Sequence, residues 1–278
     1  MLVSTLTAAS LPAVASAGRL DRAGQNLRQS DGSSDDRQNA DNDWHDDDDD
    51  DEFDAEAAAL MMWVFTAPWH VPYSILSARY PTLAGFSDYP YADGNRGHMR
   101  VSDPPDGRAP RTAFRVGVLG AVHDPQLWSS ALEARVELSA PIVLRAGFRW
   151  LRESGLETTT ADPSGTQQAA LAGADALLRF AESPRLNFYT GFGYRQWNDR
   201  LGMVPGLAGI YGFEAYPGRP ISFGSEVSIG VQGQGYLLQW RTYVGLVLGR
   251  AELRAGYDHV DVDGALLGGP MLGVEVHL

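Results

Sequence analysis

The sequence predicts an all-β protein whose C-terminal part is a closed antiparallel transmembrane β-barrel of ten strands, preceded by a disordered N-terminal tail. Three observations lead there. From residue 112 to the C-terminus, apolar and polar residues alternate with a period of two, as in strands with one apolar and one polar face. The charges fall on the face opposite the aliphatic and aromatic rows, the reverse of what a soluble barrel needs. The longest apolar run that could form a helix, residues 57–65, is nine residues long, against the ~20 of a spanning helix, so any membrane crossing is made by strands.

Residues 1–17 hold a short apolar region ending in Ala15, Ser16 and Ala17, an A-x-A cleavage pattern before Gly18. They are expected to be an export signal, although no positive charge precedes the apolar part. Residues 18–56 carry fifteen acids, including six aspartates at 46–51, against four arginines, which accounts for most of the net charge of −13. So polar a stretch cannot offset the entropy of ordering and is expected to be a disordered acidic tail. The aspartate run lacks the Gly-punctuated spacing of a calcium loop and reads as a solvated spacer. Residues 57–111 interleave Trp63, Phe65, Trp69, Tyr73, Tyr80, Phe86, Tyr89 and Tyr91 with seven prolines. The prolines exclude a central strand or a long helix, and the aromatics are too many for a linker. This segment is expected to cover one mouth of the barrel or to lie partly inside it.

The barrel is residues 112–278. Residues 112–122 set Phe114, Val116 and Val118 against Arg115; 131–139 set Leu132, Ala134, Val136 and Leu138 against Glu133, Arg135 and Glu137. Residues 142–151 oppose Leu144, Ala146, Phe148 and Trp150 to Arg145 and Arg149. The Ala- and Leu-rich stretch 169–180 favours a helix by propensity, but its alternation against Asp175 and Arg179 makes it a strand. Residues 185–197 oppose Phe188, Phe192 and Tyr194 to Arg195; 207–216 is the weakest pattern; 221–232 opposes Phe223, Val227 and Ile229 to Glu226. Three more strands follow: 236–248 with Arg241 on the polar face, 251–258 with Glu252, Arg254 and Asp258, and 271–278 with Glu275 and His277. Ten strands place the connections 139–141, 182–184, 217–220 and 249–250 on one side, all short. The longer ones, 123–130, 152–167, 198–206 and 261–269, fall on the other side, where 233–235 is the one short connection.

Eight arginines (Arg115, Arg135, Arg145, Arg149, Arg179, Arg195, Arg241, Arg254) and eight acids (Glu133, Glu137, Asp175, Glu214, Glu226, Glu252, Asp258, Glu275) then point into the lumen. Sixteen charges cannot share so small an interior unpaired, and their equal numbers predict an ion-pair network. Ten strands leave no room for a wide aqueous pore. The chain has no cysteine, hence no disulfide and no thiolate site, and its 22 basic residues are all arginine. No basic patch outside the lumen offers a nucleic-acid surface. His45, His70, His98, His123, His259 and His277 are scattered without metal-ligand spacing, and no glycine cluster lies between a strand and a helix, so no metal and no cofactor is expected.

The terminal strand, with Leu272, Val274, Val276 and Leu278 alternating with Met271, Gly273, Glu275 and His277, resembles the last strand of bacterial outer-membrane β-barrel proteins, which carries their assembly signal. The usual final residue there is aromatic, where this chain has Leu278. The resemblance implies a bacterial outer-membrane location, contact with outer-membrane lipid and the barrel-assembly machinery, and a periplasmic N-terminal tail with residues 57–111 on the same side. It implies a porin-like architecture with a structural or adhesive role, or a narrow conduit at most, and names no solute. Ten-stranded barrels also resemble the omptin proteases, whose rim carries Asp and His groups that activate water. That likeness implies the alternative of an outer-membrane hydrolase with His123, Asp124, His259 and Asp261 at the external rim, a carboxylate orienting an imidazole base. If these four do not converge, no catalytic residue is expected.

Overall fold

The computed structural model describes residues 18–28, 85–94, 96–101, 110–154 and 165–278. The signal-like residues 1–17, the aspartate run at 46–51 and most of the aromatic segment before residue 85 lie outside the described residues. The described elements are helix α1 (Arg19–Asn26), the two-residue strands β1 (Gly85–Phe86) and β2 (Arg100–Val101), and ten long strands. These are β3 (Thr112–Val122), β4 (Leu127–Leu138), β5 (Ile142–Ser154), β6 (Thr166–Glu182), β7 (Leu186–Asp199), β8 (Gly202–Gly218), β9 (Ile221–Gln232), β10 (Gly235–Leu248), β11 (Ala251–Val262) and β12 (Ala265–His277). Each of the ten pairs antiparallel with its chain neighbours, and β12 returns to β3, closing the ten-stranded barrel the alternation predicts.

Tertiary pairing overrides helix propensity in β6, which hydrogen-bonds β5 from Ile142↔Leu178 to Ser154↔Thr166 and β7 from Ala170↔Asn198 onward. The closing pair is the shortest, running from Met271↔Ala121 to His277↔Arg115, and Leu278 extends it by exchanging backbone hydrogen bonds with Phe114 at 2.9 and 3.2 Å. On one side the connections are 139–141, 183–185, 219–220 and 249–250, as short as expected.

The other side differs from expectation. Strands β4, β7, β8, β11 and β12 extend into the stretches expected as loops, so the connections there shrink to 123–126, 200–201, 233–234 and 263–264, and only 155–165 stays long. Two physical reasons account for this. Asp263 and Gly264 both adopt positive φ (47° and 84°), the requirement of a tight two-residue hairpin turn, and an Asp-Gly pair meets it at little strain. The extended strand ends also turn apolar residues inward (Val204, Val260, Val262, Ala265 and Leu267, all buried), inverting the polar-in rule used to find them.

Across the outer surface, aliphatic and aromatic side chains stand exposed: Phe192 at 76 % and Leu207 and Leu272 at 71 % are the extremes. Phe180, Phe188, Tyr211, Phe213 and Phe223 form a continuous row of tilted rings across β6 to β9, with neighbouring centroids 5.5–6.4 Å apart. A surface this apolar fits hydrocarbon and not water. Phe192 lies mid-strand, opposite Ala176 and Gly209. Replacing it by arginine is expected to cost ~2–4 kcal/mol in urea unfolding from lipid vesicles if that face meets hydrocarbon; a change within ~0.5 kcal/mol, the usual size for a water-exposed surface site, would contradict this.

Candidate functional site

The lumen is built in layers. Through its middle and toward the short-turn mouth it is charged, and all sixteen wall charges meet an opposite charge within 4.0 Å. Near the short-turn mouth, Glu137 takes Arg115 in close contact, Arg179 at 2.6 Å and Arg135 at 3.3 Å. Glu214 takes Arg135 at 2.6 Å and Arg115 at 3.2 Å. In the middle, Arg145 spans Asp175 (2.7 Å) and Glu226 (2.6 Å), with Arg195 close against Asp175. Arg241 spans Glu133 (2.5 Å) and Asp258 (3.1 Å), and Arg149 holds Asp258 at 2.6 Å. Arg254 joins Glu252 (3.0 Å) to Glu275 (2.6 Å) and stacks on the Tyr243 ring at 4.3 Å. The pairs run between strands far apart in sequence, such as Arg149–Asp258 and Arg241–Glu133, so they cross-link the wall through the lumen.

At the opposite mouth the lumen wall turns apolar. Leu127, Leu151, Ala169, Leu171, Trp197, Val204, Leu237, Val260, Val262, Ala265 and Leu267 make a collar, and Leu20, Ala23 and Leu27 of the α1 segment fill it. Those three stand at i, i+3 and i+7, the spacing of one helix face. Full burial stabilises each leucine by ~1.5–3 kcal/mol relative to exposure. Polar contacts tie the helix to the rim all round. The Glu153 carboxylate accepts from the Arg19 and Leu20 backbone N–H groups at 3.4 and 3.2 Å. Arg19 pairs with Asp124 at 3.0 Å and Arg28 with Asp199 at 2.9 Å. Asn26 donates to the Asp263 carbonyl at 2.8 Å, and the Gln234 N–H donates to the Leu27 carbonyl at 3.0 Å. Residues 18–28 are therefore ordered, not part of a disordered tail. They sit at the mouth opposite residues 85–94 and 96–101, whereas the rest of the acidic stretch, 29–56, lies outside the described residues.

Residues 85–101 lie against the short-turn mouth. Phe86 and Met99 bury with Ala113, and Tyr91 packs edge-on against Tyr216 beside Val247. The Tyr91 hydroxyl donates to the Ile221 carbonyl at 2.5 Å, and Arg100 reaches Glu182 in close contact and the Ser139 carbonyl at 2.8 Å. His98 is buried between this cap and the charged layer; its Nδ1 accepts from the Arg100 N–H at 3.2 Å. Burial holds its pKa down to about 3, against a partial upward pull from Glu137.

The rim residues named for hydrolysis do not form one site. His123 turns to the lumen, where Nε2 and the Ser129 hydroxyl share a hydrogen bond of 2.9 Å, and burial and Arg149 lower its pKa to about 4. Asp124 caps its own turn by accepting from the Gln126 and Leu127 N–H groups at 2.7 and 2.8 Å. His259 sits on the outer face beside Tyr257, in register with exposed Trp240. Asp261 accepts from the Tyr236 hydroxyl at 3.1 Å and from the Gly264 N–H at 2.8 Å. The barrel wall thus separates the two imidazoles, and each carboxylate is committed elsewhere. Sequence reasoning missed α1, Glu153, Asp199 and the Arg100–Glu182 pair. The i, i+3, i+7 spacing could have revealed the helix; nothing in the sequence joins Arg100 to Glu182.

No protein-family model matches the sequence, and no curated protein does. Among solved structures, the chain shares 9% identity with the outer-membrane expressed OmpT of Vibrio cholerae, over 58% of this chain and 64% of that one, at a TM-score of 0.30. It shares 12% with Ail, the attachment invasion locus protein of Yersinia pestis, over 60% and 97% of the two chains, at a TM-score of 0.19. It shares 10% with a TodX deltaS2S3 mutant monoaromatic hydrocarbon channel, over 71% and 76%, at a TM-score of 0.23. The chain spans less than two thirds of the length of the first. None of these assigns a function.

Three outcomes test the site. Glu137→Gln takes a carboxylate from three buried arginines at once, Arg115, Arg135 and Arg179, and is expected to cost ~3–5 kcal/mol in denaturant unfolding. Glu133→Gln should cost less, because Arg241 keeps Asp258. A Cβ on Gly24 would lie 1.9 Å from Asp199 Oδ2, so Gly24→Leu is expected to unseat α1. In this cysteine-free chain, a buried Leu27→Cys thiol should resist a maleimide until Gly24→Leu is added, and equal labelling rates would show that the helix does not hold the mouth. A base with a lowered folded pKa gives stability that is full above ~6.5 and is lost as pH falls toward 3. Amide-exchange protection of residues 85–101 should therefore weaken across that window, and His98→Asn, which keeps an acceptor for the Arg100 N–H, should flatten the dependence.

Proposed function

We propose that this protein is a bacterial outer-membrane barrel whose lumen is filled by ion pairs and shut at both mouths, serving as a structural or adhesive element of the envelope, or as a narrow conduit at most. The observation that carries this reading is the division of the wall: apolar and aromatic side chains outside, sixteen mutually paired charges inside. Lipid would cover the outer rows, and the aromatic row across β6 to β9 fits the polar–apolar boundary of a bilayer. The terminal strand, apolar on its outer face to Leu278, suits recognition by the barrel-assembly machinery in the periplasm. On that orientation the cap of residues 85–101 is periplasmic and α1 faces outward. Among the described residues, the space remaining in the middle of the lumen is lined largely by side chains already engaged in pairs.

The detergent-folded protein tests this by its gel mobility before and after boiling, together with single-channel recording in a planar bilayer. A heat-modifiable band without conductance is expected. Steady conductance of the intact protein would overturn the closed lumen, and a soluble β-rich monomer that never enters detergent or lipid would overturn the membrane assignment. Gly24→Leu should remain non-conducting, because unseating α1 leaves the charged layer and the cap in place.

A further inference from the structure

The charged layer near the short-turn mouth contains a histidine whose pairing is incomplete. His277 is 0 % exposed, yet neither of its ring nitrogens makes a hydrogen bond, although Nε2 lies 3.3 Å from Glu252 Oε2. Nδ1 is thus buried with no hydrogen-bond partner, and Nε2 has only the Glu252 carboxylate, which Arg254 and Ser222 also hold; the desolvation cost of the imidazole is offset in part, and a further ligand would offset the rest. The neighbours indicate its kind. Glu252 and Glu275 are register partners across β11 and β12, and His277 follows Glu275 on the same face of the last strand. One donor atom from each of the three falls within 4.8 Å of the others, all three residues buried.

We propose that Glu252, Glu275 and His277 form a binding site for a single Zn²⁺ ion. One imidazole nitrogen and two carboxylate oxygens are borderline-to-hard donors that suit Zn²⁺, with a fourth position open to water. His277 is neutral when it ligates, so the ion meets two negative charges and competes with protons for the imidazole. The rival for those charges is Arg254, which bridges both carboxylates at 2.6–3.1 Å and is held from behind by the Tyr243 ring. In the metal-free protein its guanidinium stands where a cation is wanted; on binding, Zn²⁺ takes its place between the carboxylates. Ser222 donates to Glu252 Oε1 at 2.6 Å and so orients that carboxylate. Sequence spacing could not suggest the site, because its ligands come from opposite ends of a hairpin and meet only in the barrel register.

The test is a Zn²⁺ titration of the full-length protein in detergent against a chromophoric chelator, with the metal also supplied during refolding because the cap of residues 85–101 covers this mouth. One equivalent is expected in the wild type, and His277→Ala should weaken its binding tenfold or more, with His277→Gln as the replacement if that variant does not fold. Arg254→Met removes the competing cation and is expected to bind tighter by ~10–100-fold and to recover thermal stability on adding Zn²⁺, which a purely structural arginine would not allow. Anomalous scattering at the zinc edge should place the ion among these three side chains. Binding that is equal in wild type and His277→Ala would belong to the aspartate run or another histidine and would overturn the proposal. So would the absence of binding in both wild type and Arg254→Met.

Discussion

The constraint on which this structure depends is that a barrel wall with apolar rows outside gathers sixteen charges within, where none can stay unpaired. Taking a charge out of water costs several kcal/mol, and a close opposite charge with satisfied hydrogen bonds offsets that cost. Arginine suits the task better than lysine, since its planar guanidinium can serve two or three carboxylates at fixed angles. The chain has no lysine at all, and Arg115 contacts Glu137, Glu214 and Glu275 together. The pairs also bind strands distant in sequence, so that the wall is held by its edges and across its bore.

Both ends of the bore follow from this arrangement. A charged network open to water would be screened and weakened, and each mouth is covered by a different device. At one, an apolar collar receives the apolar face of α1 while rim carboxylates hold its backbone and arginines. At the other, residues 85–101 bring Tyr91, Phe86 and Met99 over the end and insert Arg100 to complete the pairing of Glu182. Among the described residues the interior is thereby layered as apolar plug, charged band and aromatic cap.

Much of the wall could be read from the sequence because the two-residue period of a strand is local. Once Leu132 faces out, Glu133 must face in, and the same parity places the sixteen paired charges from Arg115 to Glu275 on one face without knowledge of any partner. It even rescued β6, whose Ala and Leu content favours a helix. The partners themselves were not legible, since Arg149 meets Asp258 only after the barrel closes. The rule failed where its premise did: at the plugged mouth the lumen side is apolar, so Asp261 to Gly269 read as a loop when most of them continue two strands. The Asp263-Gly264 pair, a strong hairpin signal, was passed over for that reason. Helix α1 was hidden by the acidic composition around it, though Leu20, Ala23 and Leu27 carry the spacing of a helix face. His123 and His259 both lie at the same end of the wall, but alternation along β11 turns His259 outward while His123 bonds Ser129 in the lumen.

The measurement that tests the central claim most directly is fluorescence quenching by lipids brominated along their acyl chains, made on single-tryptophan variants folded into vesicles. Trp150 is 45 % exposed on the outer face and Trp197 is 0 % exposed within the collar. The structure predicts strong quenching of Trp150 and little of Trp197. Equal quenching of the two, or none of either, would contradict a barrel that turns its apolar rows to lipid and seals its charges within.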